Sequence, residues 1–136
     1  MKIKLLLVAI VALVVSQSME ALQVTLKNSN PKGSSVDIWL TAKEMNNPKK
    51  AADYMKELTF GQNHTFDLSD KSIDNCSITI GDATYVVTSS GLTAKEIPLS
   101  GNHKIGIVIG GVSLGRLLLN IAVDNNTPVE LYARTR

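Results

Sequence analysis

The chain is short of several things at once, and each shortage removes a class of function. A single cysteine, Cys76, cannot close an intramolecular disulfide, so a disulfide-stapled scaffold is excluded and the core must hold the fold. Two isolated histidines and that one thiol form no C-x-x-C or H-x-x-x-H pair, so no metal site is expected. Aromatic residues make up only 4% and charged residues 19%, and no tract is dominated by proline, glutamine or one charge sign. With 44% hydrophobic content this is the composition of a folding chain rather than a disordered one. Its 136 residues leave room for one ordinary domain.

What is present begins with an address label. Met1 to Lys4 is a short basic segment, Leu5 to Val15 is an unbroken apolar run, and Ser16 to Ala21 is polar with small residues. Together they read as a secretory signal peptide over residues 1–18, cut after Ser18 or after Ala21, which leaves a single domain over 19–136. The apolar run is too short to cross a bilayer as a helix, which needs roughly 20 residues. The expected destination is outside the cytoplasm, extracellular or periplasmic.

Loss of Lys2 and Lys4 leaves 12 basic against 12 acidic side chains, or 12 against 11 if Glu20 is also removed. The remaining cations are scattered, apart from Lys49 and Lys50. A nucleic-acid groove needs a clustered basic excess, so no nucleic-acid partner is expected.

Period-two alternation recurs along the mature chain. Leu22, Val24 and Leu26, then Val36, Ile38 and Leu40, then Val129, Leu131 and Ala133 each alternate with polar neighbours, as strands with one wet face do. Shorter segments at 58–60, 64–68, 77–80, 84–89 and 104–109 are separated by turn chemistry such as Asn30-Pro31-Lys32-Gly33 and Gly81-Asp82. The spacing predicts an all-β fold, a mostly antiparallel β-sandwich. Asn47 as cap and Pro48 at the first position add one short helix near residues 48–56. Cys76 shares the alternating face of Ile78 and Ile80 and reads as a small buried hydrophobe.

Residues 104–123 admit three readings. A transmembrane helix is opposed by Arg116 and by four glycines, Gly106, Gly110, Gly111 and Gly115. A strand, turn and helix would use the stripe Leu114, Leu117, Leu118 and Ile121. Two buried strands joined through Gly110-Gly111 account for the most residues, and they are the favoured reading.

Catalytic look-alikes fail on their own chemistry. Gly111-Val112-Ser113-Leu114-Gly115 matches the G-x-S-x-G nucleophile elbow, but in that architecture the histidine follows the serine, and His64 and His103 both precede it. Gly110 to Gly115 has the outer spacing of a phosphate loop, yet Arg116 and Leu117 stand where lysine and serine or threonine are needed. Asp67, Asp70 and Asp74 lack the pattern of a calcium loop. Asn63, Asn75 and Asn125 head formal glycosylation triplets, which a chain this rich in asparagine, serine and threonine produces by chance.

By exclusion, no covalent chemistry and no cofactor is expected. Trp39 falls on the polar parity of its strand beside Asp37 and Thr41, and Tyr132 falls beside Glu130 and Arg134. Flat aromatics on a polar sheet face stack on sugars or anchor protein partners, so Trp39, Tyr132 and Arg134 are the candidate ligand-binding residues. The expected function is a secreted, non-enzymatic binding module for a surface glycan or a partner protein. The alternative is a membrane-active protein that inserts the apolar 104–123 region into a lipid surface.

Overall fold

Alternating burial shapes the whole domain. A computed structural model describes residues 21–88 and 97–136, so the expected leader at 1–18 lies outside the described residues. Nine strands follow in chain order: β1 (Leu22–Asn28), β2 (Val36–Glu44), β3 (Asn47–Leu58), β4 (Asn63–Asp67), β5 (Lys71–Ile80), β6 (Ala83–Val86), β7 (His103–Ser113), β8 (Arg116–Val123) and β9 (Val129–Thr135). The all-β, mostly antiparallel architecture is as expected. In place of two stacked sheets, the strands form one continuous sheet in the order β3-β2-β5-β6-β9-β8-β7-β1-β4, curled nearly into a barrel. One neighbouring pair, β1 with β7, is parallel.

The inner face is the core. Leu22, Val24 and Leu26 of β1, Ile38 and Leu40 of β2, Ile105, Ile107 and Ile109 of β7, and Leu117, Leu119 and Ile121 of β8 are all buried. Cys76 lies among them, opposite Leu40. The two outermost strands approach each other without pairing: Tyr54 of β3 meets the ring of Phe66 on β4 edge-on, with centroids 6.1 Å apart. Buried Asn28 ties the same seam. Its side-chain amide donates to the carbonyls of Ser34 at 2.8 Å and Leu58 at 2.9 Å, and its oxygen accepts from the Asn30 amide at 3.0 Å.

The helix expected at 48–56 is a strand. Residues 51–58 pair one for one with β2, and Pro48 sits where the register jumps between Lys43 and Glu44, a bulge that tolerates its missing amide hydrogen. Cross-strand pairing supplies what a lone short helix on this surface lacks, so tertiary contact overrides local propensity. Lysines 49, 50 and 56 then guard an edge strand.

The favoured reading of 104–123 holds, with its turn relocated. β7 and β8 form a hairpin whose two-residue loop is Leu114-Gly115, with φ of 54° and 73°, the double left-handed geometry of a type I′ turn. Gly110-Gly111 is instead a bulge, marked by a register shift between Ile109 and Val112. A Cβ on Gly110 would stand 3.1 Å from the Leu118 carbonyl, which is why the position carries none. Among the described residues there is no helix long and apolar enough to cross a membrane.

Candidate ligand-binding face

The outer face of the sheet collects what the inner face excludes. Register places Met55 beside Trp39, Trp39 beside Ser77, Ser77 beside Val86, Val86 beside Arg134, Arg134 beside Arg116, and Arg116 beside Ser113. One row on the outer parity of the sheet therefore crosses seven strands from β3 to β7, although Ser77 within it is buried. Trp39 is 48% exposed and Tyr132 is 39% exposed. Tyr132 stands one outward position from Arg134 on β9 and opposite Leu118.

The three residues singled out from the sequence thus share one face. Trp39 and Arg134 are three strands apart, roughly 14 Å at about 4.8 Å per strand, so they are separate stations on a surface rather than walls of one pocket. Around Tyr132 the surface dips into an open recess of about 450 Å³ lined by Ser113, Leu114, Arg116 and Tyr132. A second recess, of about 400 Å³, is apolar and lies near the β8 to β9 connection, lined by residues that include Ile97, Ile121, Val129 and Leu131.

The structure separates the catalytic look-alikes in space. His103 opens β7 and Ser113 ends it, so ten residues of extended chain hold them about 30 Å apart. His103 instead meets Asp124, Nδ1 to Oδ2 at 2.6 Å, and the other carboxylate oxygen accepts the Lys104 amide at 2.9 Å. Those two bonds, the histidine's foremost, hold the Asp124 carboxyl below the usual carboxylate range. With Asp124 at φ 54° and Asn125 at φ 62°, the pair serves the turn after β8. His64 lies edge-on to Phe66, with centroids 4.7 Å apart, at the margin of the core.

The three aspartates of the β4 to β5 region each serve the chain locally. Asp67 accepts from the Ser69 hydroxyl at 2.7 Å and from its amide, and these bonds lower its pKa. Asp74 pairs with Lys43 at 3.1 Å, and the carbonyl of Asp70 accepts from the Met45 amide. No group of three potential metal-ligating side chains occurs among the described residues. Burial pushes the Cys76 thiol up to about 12, which removes it as a nucleophile near neutral pH.

Arg116 and Ser113 are not legible in the sequence as parts of this face. Once Leu114-Gly115 is read as a two-residue turn, Ser113 and Arg116 become cross-strand partners. Turn chemistry at Asp124 to Pro128 marks a hairpin between β8 and β9, but the meeting of Arg116 with Arg134 depends on its register, which the turn residues alone do not fix.

No family model and no curated protein matches the chain. Among solved structures it is similar to the cytotoxin suilysin from Streptococcus suis, at 16% identity and a TM-score of 0.31, over 80% of this chain and 24% of that one.

Proposed function

We propose that this is an exported, non-enzymatic binding module that recognises a surface glycan through the outer face of its sheet. The observation that carries the reading is the placement of Trp39, Tyr132 and Arg134, aromatic area beside fixed positive charge, on one wet face of a continuous sheet. Rigid rings on a rigid sheet bury large area at low entropic cost, and a sugar ring presents the matching flat apolar face. A partner protein would use the same anchors, with Met55, 71% exposed beside Trp39, widening the apolar area.

A glycan screen comparing the wild type with Trp39→Ala and Tyr132→Ala tests the reading. The wild type should retain a subset of glycans, and each variant should lose that signal while keeping the wild-type melting temperature. Equal retention by folded variants, or no retained glycan at all, would sink it.

A further inference from the structure

The sequence contains three arginines, at 116, 134 and 136, and the other side chains that are cationic at neutral pH are lysines. All three arginines fall on two adjacent strands and the residue that follows them. Arg116 of β8 and Arg134 of β9 are directly opposite on the outer face, and the Arg136 amide continues the ladder by donating to the Thr84 carbonyl at 2.9 Å. Directly opposed residues have their Cβ atoms about 4.5–5.5 Å apart, and like charges so placed destabilise a sheet. Among the described residues no carboxylate forms an ion pair with any of the three. Acids do share the face: Glu130 lies four residues along β9, and Asp37 lies three strands away on β2. The repulsion therefore stands uncompensated within the described fold, beside the recess that Tyr132 and Ser113 line.

Resting on the reading of this face as a glycan site, we propose that Arg116 and Arg134 together clasp a sulfate ester of an acidic glycan, with Tyr132 stacked on the sugar that carries it. A guanidinium is a planar fork that donates two parallel bonds, a geometry lysine cannot supply. A carboxylate has two oxygens, so a second fork must share the ones that the first already engages. A sulfate ester has three terminal oxygens and accepts from both forks at once. Bound sulfate also neutralises the opposed charges, so the apposition that costs stability in the free protein favours the complex. Over residues 19–136 the side chains other than these arginines are 9 basic against 12 acidic, or 9 against 11 without Glu20, which argues against a general polyanion sponge.

The test is binding of the purified domain to dextran sulfate and to unsulfated dextran of equal length, with phosphatidylserine and phosphatidylcholine vesicles as parallel arms. The wild type should bind dextran sulfate and not dextran. Arg116→Gln and Arg134→Gln should each weaken binding about tenfold or more, as loss of charge-assisted bonds does. Arg116→Lys should weaken it nearly as much, and Lys49→Gln should leave it unchanged. Both glutamine variants should melt at or above the wild-type temperature, because one of two repelling charges is gone.

Full retention by Arg116→Lys would show unspecific charge attraction and overturn the proposal, as would tighter binding to phosphatidylserine vesicles than to dextran sulfate. A lower melting temperature in both glutamine variants would show that the arginines are held within the protein, and would overturn it equally. Capture of neutral glycans that is lost in Trp39→Ala and unmoved in the arginine variants would overturn the sulfate site while sparing the broader reading. Sulfate-dependent binding that ignores Trp39→Ala would do the reverse.

Discussion

At the scale of single residues, the most telling positions are those whose conformation or burial conflicts with their chemistry. Leu114 is 98% exposed at φ 54°, a left-handed conformation that costs a β-carbon-bearing residue roughly 1–2 kcal/mol. Leu114→Asn suits a type I′ turn and should stabilise the domain by about 1 kcal/mol, read as a raised midpoint in urea with an unchanged slope. Cys76 makes the opposite case, since its thiol ionises near 12 only while folded. A thiol reagent at pH 8 should modify it no faster than the protein unfolds. Its raised folded value makes this contribution complete below the unfolded thiol pKa of about 8.5 and progressively lost as pH climbs toward 12. Asp124 works in the other direction. Its lowered folded pKa adds stability above the usual carboxylate range that fades as pH falls through the folded value. Asp124→Asn keeps a residue at ease with positive φ, so a flatter acid limb of the stability profile should be its main effect.

At the scale of elements, the β7–β8 hairpin and the Asn28 seam matter most. Membrane insertion of residues 104–123 would need the release of two interior strands whose Ile105, Ile107, Ile109, Leu117, Leu119 and Ile121 are buried. Ile107→Ala should cost about 2–5 kcal/mol, measured by denaturant unfolding, because the surrounding sheet cannot close on the cavity. Dye-loaded liposomes should stay intact when mixed with the folded domain, and leakage at neutral pH would revive the insertion reading. Asn28→Ala strands the Leu58 and Ser34 carbonyls that its amide serves and should cost about 1–3 kcal/mol for each group left unsatisfied. In the sequence an asparagine at a strand end, such as Asn28, is indistinguishable from turn chemistry. Only the curled sheet shows that it stitches β1 to the end of β3.

At the scale of the whole molecule, the chain itself determined which side of each strand is wet. Strict alternation at Val36 to Thr41 and at Val129 to Arg134 assigns faces by the parity of the backbone, and parity is a local property. On that basis Trp39, Tyr132 and Arg134 were placed correctly on the polar face, and Cys76 on the apolar one. The β7–β8 hairpin was legible for the same reason, although its glycines misdirected the turn: a glycine that permits close approach and one that permits positive φ look identical as letters. The segment at 48–56 misled in the opposite sense, since capping and propensity are weak terms that eight paired residues on β2 outweigh. What only the tertiary structure decided is adjacency. Strand order and register depend on how far-apart segments share one core, and one residue of slip would exchange the two faces. That is why two arginines 18 positions apart meet across β8 and β9 on one face, and why Ser113 and His103 are held at opposite ends of one strand.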